Sequence, residues 1–156
     1  MQSVPEVSVV IPSYKRPERL ELCVQSVRAQ YFDNTFEIVI VDSSPKEDRK
    51  AIEDIGDSDE RITLISRAEQ TYPGTARNIG AELAKGSVLA FLDADCVVGT
   101  DWLKNIYEDL VKDTLLVGEL ENGTPKSPAG TASFLVEFSH HLPFSDQQKN
   151  PSVPGI

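Results

Sequence analysis

The chain has 156 residues, enough for one ordinary domain with a proper core. With 40% apolar and 26% charged residues its composition is globular, and no apolar run approaches the length of a membrane-spanning helix. A net charge of −10 argues against nucleic acid as a partner, because phosphate backbones are held by a surplus of Lys and Arg.

No basic region precedes the first apolar stretch of "MQSVPEVSVVIP", so no signal peptide is expected. The expected location is cytoplasmic, with peripheral association at the cytoplasmic face of a membrane left open. Cys23 and Cys96 are too few for a disulfide framework and have no metal-ligand spacing, so both are read as reduced thiols, Cys23 on the core side of a helix.

In chain order, "VSVVI" (7–11) reads as a strand buried on both faces, stopped by Pro12, with "PSYKRPE" as a loop. Leu20, Cys23, Val24 and Val27 fall at helical spacing and predict a helix over 17–30. "FEIVIV" (36–41) is a second buried strand, ended by Asp42, Ser43, Ser44 and Pro45; a polar helix over 46–55 follows, then "RITLIS" (61–66) as a third strand. Ala76, Ile79, Gly80 and Leu83 mark a third helix, opened by Pro73-Gly74 and closed by Lys85-Gly86. "SVLAFL" (87–92) is the fourth strand. Leu103, Ile106, Tyr107 and Leu110 line one side of a fourth helix with Asp101 in its first turn, and "TLLVGEL" (114–120) is a candidate fifth strand.

This alternation predicts an α/β fold, a mainly parallel sheet flanked by helices and joined by right-handed crossovers. Composition shifts near residue 122, with five of the ten prolines at 125 or later. The expected organisation is therefore an α/β domain over 1–121 and a Pro-rich segment over 122–156, whose only helix-like stretch is "SPAGTASFLVEFSHH". The final "PGI" lacks the usual polar or helical finish, so a truncated fold is expected.

Open parallel sheets bind ligands beyond the carboxyl ends of their strands, where strand order reverses. Four such ends carry polar groups: Ser13 and Tyr14; Asp42, Ser43 and Ser44; Arg67; and Asp93 with Asp95. Polar loops are ordinary, and it is the residue types that point to chemistry. Asp93-Ala94-Asp95 can present carboxylate oxygens to one hard cation, and Mg²⁺ or Mn²⁺ takes one or two carboxylates plus water and substrate phosphates. Upstream, Gly74 would let the backbone approach a ligand, the amides of a starting helix favour an anion, and Arg77 can add a charge-assisted contact. A cation site beside an anion site describes a metal-bound diphosphate.

Taken together, "VSVVIPSYKRPERLELCVQSVRAQ", "FEIVIVDSS", "GTARNIGAELAKG" and "VLAFLDADC" followed by Trp102 resemble, over about residues 7–118, the nucleotide-sugar-binding part of family 2 glycosyltransferases with the Rossmann-like GT-A fold. The resemblance implies that Pro12, Ser13 and Tyr14 border the base and ribose, with Asp42 and Ser43 at the same end of the nucleotide. It puts Arg77 near the base and diphosphate, Asp93 towards the ribose, and Asp95 as the stronger candidate for direct metal ligand; Gly74 is counted with the nucleotide-sugar-binding residues for its backbone approach. It also implies a sugar transferred by direct displacement, with inversion, from a UDP- or GDP-type donor to a sugar, lipid-linked or protein acceptor, as in polysaccharide biosynthesis, with Mn²⁺ or Mg²⁺ stabilising the diphosphate.

Two departures stand out. Ser43 occupies the second of two positions where many members carry paired aspartates, so the carboxylate that would accept the uracil N–H is absent. The family's general base lies well downstream of Asp-x-Asp, and only 61 residues follow Asp95. Glu137, His140, His141 and Asp146 are titratable, yet none matches a family motif, and His140-His141 reads as a surface or helix-end pair; the catalytic base stays unassigned. The alternative is a nucleotide-sugar-binding module without transfer activity. A phospho-receiver with Asp42 as acceptor is disfavoured because Pro-Ser-Tyr stands where it needs an acidic pair. A sugar nucleotidyltransferase would want a Gly-rich basic loop after the first strand.

Overall fold

The computed structural model describes residues 4–110 and 115–138. The apolar runs form β1 (Val7–Ser13), β2 (Phe36–Asp42), β3 (Ile62–Ser66) and β4 (Val88–Phe91). They alternate with helices α1 (Pro17–Arg28), α2 (Arg49–Gly56), α3 (Pro73–Leu83) and α4 (Trp102–Asp109). The strands pair in parallel in the order β3-β2-β1-β4. Every residue of β2 is buried, as a strand covered on both faces requires.

Which helix covers which face follows from that order. From β1 to β3 the chain steps one way across the sheet, and right-handed crossovers place α1 and α2 on one face. There Leu20, Cys23, Val24 and Val27 of α1, Ile52 and Ile55 of α2, and Leu103 of α4 pack on Val9, Ile11, Ile38 and Ile40. The step from β3 back to β4 reverses direction and sends α3 to the other face, where Ala76 meets Val10, Val39 and Val41. The strand order thus reverses between β1 and β4.

A polar anchor fixes the rim. Asp59, between α2 and β3, accepts from the Arg61 backbone N–H (2.9 Å), from Arg61 Nε (3.0 Å) and Nη2 (2.7 Å), and from Arg28 Nε of α1 (3.0 Å). The Arg61 side-chain hydrogen bonds, then its backbone N–H and the charges of Arg61 and Arg28, hold this carboxyl well below the usual carboxylate range. A carboxylate with a depressed folded pKa stabilises fully above its unfolded pKa of about 4 and loses that contribution as pH falls through the folded value. Asp59→Asn is therefore expected to lower stability by about 1–2 kcal/mol at neutral pH. In urea titrations the gap between variant and parent should close progressively as the pH falls below about 4; a gap independent of pH would contradict this.

The chain divides into two compact units, Met1–Val111 and Lys112–Ile156, and the divide expected between 121 and 122 falls inside the second. The expected fifth strand does not form over 115–120, which is irregular, with Leu115, Leu116, Val117 and Leu120 exposed; Thr114 lies outside the described residues. An apolar run becomes a strand only with a ladder partner, and this one has none among the described residues. Beyond it, α5 (Pro128–Phe138) occupies the helix-like stretch, with Asn122 Nδ2 donating to Thr131 Oγ1 at 3.0 Å. No helix among the described residues is long and apolar enough to cross a membrane.

Candidate functional site

The ladder between β1 and β4 ends early, and proline is the reason. β1 pairs with β2 as far as Ser13–Asp42, but with β4 only as far as Val10–Phe91. Val10 O accepts from Leu92 N at 3.1 Å on the β4 side, so the next donor on that side would be residue 12. Pro12 has no N–H, and the pairing stops. Beyond this point β1 continues with β2 while the chain after β4 turns away, opening a crevice at the place where strand order reverses.

A cleft of about 500 Å³ occupies that crevice, within the range of small-molecule sites. The end of β1 and the start of α1 line it with Pro12, Ser13, Tyr14, Lys15, Arg16 and Arg19. The loop before α3 and its first turns contribute Gln70, Thr71, Tyr72, Pro73, Ala76 and Arg77, and the chain after β4 adds Asp93, Ala94 and Asp95. Of the residues singled out in the sequence, Pro12, Ser13, Tyr14, Arg77, Asp93 and Asp95 are brought together here.

Asp42, Ser43 and Gly74 are not in the lining. Asp42 ends β2 and Ser43 follows it; they are 4% and 6% exposed. Gly74 sits in the first turn of α3, where a Cβ would meet nothing within 4 Å, so the fold itself does not require glycine there. Arg67 joins the sheet through its backbone, its N–H donating to Asp42 O at 2.7 Å. Of the base candidates, Glu137 lies in α5 with its side chain not described, and His140, His141 and Asp146 lie outside the described residues.

The acidic pair is asymmetric. Arg77 Nη2 donates to Asp93 Oδ1, closing a salt bridge across the cleft between α3 and the loop after β4. Asp95 forms no hydrogen bond or ion pair among the described residues and is exposed. The loop is shaped by its backbone: Cys96 N donates to Asp93 O at 3.0 Å, and the Cys23 thiol of α1 lies 3.5 Å from the same oxygen. Both cysteines are free, and Cys23 is buried as expected. Burial, then the neighbouring Cys96, Asp95 and Asp93, pushes the Cys23 thiol up to about 12, and burial with the same aspartates raises Cys96.

Cations dominate the opposite wall, in a chain whose net charge is −10. Lys15 Nζ stands 5.1 Å from the Tyr14 ring centroid, and Arg16 and Arg19 have no carboxylate partner among the described residues. Sequence reasoning passed over these three as loop and helix surface; the signal was "KRPER", basic residues clustered at a strand end. Lys15 and Arg16 both take positive φ, 60° and 54°. Left-handed backbone costs a non-glycine residue roughly 1–2 kcal/mol, so this turn is held by its surroundings. Lys15 N donates to Ser44 Oγ at 2.6 Å; Ser44 Oγ donates to Asp42 Oδ1 at 2.7 Å, and Ser44 N to Asp42 Oδ2 at 3.0 Å. Ser13 lines the cleft too, and its Oγ is buried without a hydrogen-bond partner among the described residues.

A parallel sheet with helices on both faces and a crevice where strand order reverses is a Rossmann-like α/β arrangement. Solved structures of similar shape agree. Mannosyltransferase PcManGT from Pyrobaculum calidifontis, in complex with GDP-Man and Mn²⁺, superposes with a TM-score of 0.63 at 24% identity, over 72% of this chain and 34% of that one. S. aureus TarS 1-349 in complex with UDP gives 0.59 at 24% identity, over 66% and 31%. The chain belongs to glycosyl transferase family 2, whose family model matches residues 8–133. Among its relatives, glycosyltransferase AglE of Haloferax volcanii is 33% identical over 104 residues, 65% of this chain and 34% of that protein. The glucosyl-dolichyl phosphate glucuronosyltransferase of the same organism is 31% identical over 105 residues, 66% and 33%. The chain thus spans about a third of the length of these two relatives.

Proposed function

We propose that this chain is the donor-binding part of a glycosyltransferase that takes its sugar from a nucleoside diphosphate, and that Asp95 and Asp93 are the residues that would hold Mn²⁺ or Mg²⁺ there. The observation that supports this best is the meeting of Ser13, Arg77, Asp93 and Asp95 in one cleft at the reversal of strand order. Asp93 and Asp95, two carboxylates that both line the cleft, are the donors such an ion would take here, with phosphates and water completing the shell. When bound, the metal offsets negative charge on the departing diphosphate.

The chain's own residues divide the remaining work. Arg77, released in part from Asp93, gives a charge-assisted contact to phosphate oxygens. Tyr14 offers a ring face to the base, and Pro12 keeps the crevice open by ending the ladder. The unpartnered Ser13 hydroxyl supplies a hydrogen bond to the nucleoside. An acceptor hydroxyl oxygen then bonds to the anomeric carbon of the sugar as the bond from that carbon to the diphosphate breaks, inverting its configuration; the diphosphate departs as the anion, and the hydroxyl proton passes to the unassigned base. Glycosyltransferase neighbours bound to GDP-Man and to UDP make both bases reasonable donors, while Ser43 removes one carboxylate suited to uracil. The acceptor is a hydroxyl of a sugar, a lipid-linked intermediate or a protein.

Thermal shift with a nucleoside-diphosphate panel tests this reading. Stabilisation by UDP or GDP that appears with Mn²⁺ and vanishes with EDTA is expected, worth about 2.7 kcal/mol at a hundredfold excess over Kd. No shift with any nucleotide, with or without metal, would refute it.

A further inference from the structure

Asp42 is where the resemblance puts a contact to the nucleotide, yet its surroundings give it different work. It is 4% exposed and outside the cleft lining, and both carboxylate oxygens are occupied by Ser44, at 2.7 Å by the hydroxyl and 3.0 Å by the amide. A serine hydroxyl has one proton; given to Asp42, it leaves lone pairs to accept from another donor. The donor it meets is Lys15 N–H at 2.6 Å, the first residue of the left-handed pair Lys15-Arg16. Side chains at this turn, Tyr14, Lys15 and Arg16, line the cleft. The neighbouring Ser43 serves the sheet instead, its N–H donating to Ser13 O at 3.1 Å.

The geometry points to Asp42 and Ser44 as positioning residues that act on the donor from behind the cleft, through the main chain of Lys15, without touching it. This rests on the donor-binding reading above. The buried carboxylate orients the Ser44 hydroxyl, and the hydroxyl holds Lys15 and Arg16 in a backbone region that non-glycine residues otherwise leave. Tyr14, Lys15 and Arg16 are thereby pre-set, and the donor does not have to order them on binding. Because the effect passes through the turn, it is indifferent to the base: UDP and GDP lose affinity alike when the hold is removed. A direct contact from Asp42 to a base would discriminate between them.

The experiment compares the parent chain with Ser44→Ala, Ser44→Thr and Asp42→Asn, reading amide exchange at Lys15 by NMR and affinity for UDP and GDP with Mn²⁺ by calorimetry. Ser44→Ala is expected to speed Lys15 exchange at least about tenfold and to weaken whichever of the two nucleotides bind by a common factor of about ten. Asp42→Asn should move both readouts in the same direction. Ser44→Thr, which keeps the hydroxyl, should stay within about threefold of the parent. Unchanged affinity in Ser44→Ala overturns the positioning role, as does equal loss in Ser44→Thr, or a loss in Asp42→Asn confined to one base. If Ser44→Ala fails to fold, Asp42→Asn decides by the same criteria. A parent chain that binds neither nucleotide removes the donor-binding reading itself, and the positioning role with it.

Discussion

Replacing Asp95 by alanine is expected to weaken Mn²⁺-dependent binding of a nucleoside diphosphate by about 100-fold, or roughly 2.7 kcal/mol. The reason lies in the asymmetry of the pair. Asp93 is engaged by Arg77, whereas Asp95 faces the cleft with no hydrogen bond or ion pair among the described residues, ready to bind a hard cation. Removing it takes away the carboxylate that spends nothing on the protein. Asp93→Ala has opposing consequences, since it deletes a possible ligand and frees the Arg77 guanidinium for phosphate, so its loss should be smaller. Asp95 is exposed, so its removal should leave the melting temperature close to that of the parent. Calorimetry on both variants checks the order; equal binding by Asp95→Ala and parent would contradict the assignment.

The largest effect on the fold itself is expected at Gly86, just ahead of β4. Its N–H donates to Ser8 Oγ at 2.8 Å, and Ser8 Oγ donates to the buried Glu37 Oε1 at 2.7 Å, which also accepts from Lys85 N at 2.6 Å. This small network seats the start of β4 against β1 and β2. A Cβ on residue 86 would lie 2.7 Å from Ser8 N and 2.8 Å from Val7 C, and backbone atoms in the centre of a sheet cannot retreat as a side-chain tip can. Gly86→Ala should therefore destabilise the protein by about 3 kcal/mol and lower the melting temperature by roughly 10–20 °C. Because β4 carries Asp93 and Asp95 at its far end, nucleotide affinity should fall as well. A melting temperature within about 2 °C of the parent would show that the sheet yields more easily than this packing allows.

Much of this was legible in the residues, and the exceptions have physical causes. β-branched runs located the strands because a sheet covered on both faces demands them, and Asp93-Ala94-Asp95 stood out because it directly follows an apolar strand, at the end where open parallel sheets bind ligands. The burial of Asp42 was not legible. A strand buried on both faces shows no alternation, so the surroundings of its last polar residue do not show in the sequence; in the structure both Asp42 oxygens accept from Ser44. The turn at Lys15 and Arg16 was hidden because left-handed backbone is normally announced by Gly or Asn, and here a hydrogen bond from a distant strand end takes their place. Residues 115–120 misled for a related reason: an apolar run states a preference, but only a ladder partner makes a strand.

The central claim is that the crevice beyond β1 and β4 holds a metal-bound nucleoside diphosphate. Paramagnetic broadening by Mn²⁺ in amide NMR spectra tests it directly, because the effect is confined to the neighbourhood of the ion. With UDP or GDP present, substoichiometric Mn²⁺ should broaden the amides of Ser13, Tyr14, Arg77 and Asp93 to Cys96 first, and Asp95→Ala should abolish that pattern. Broadening spread over the acidic surface, unaffected by nucleotide and by Asp95→Ala, would contradict it.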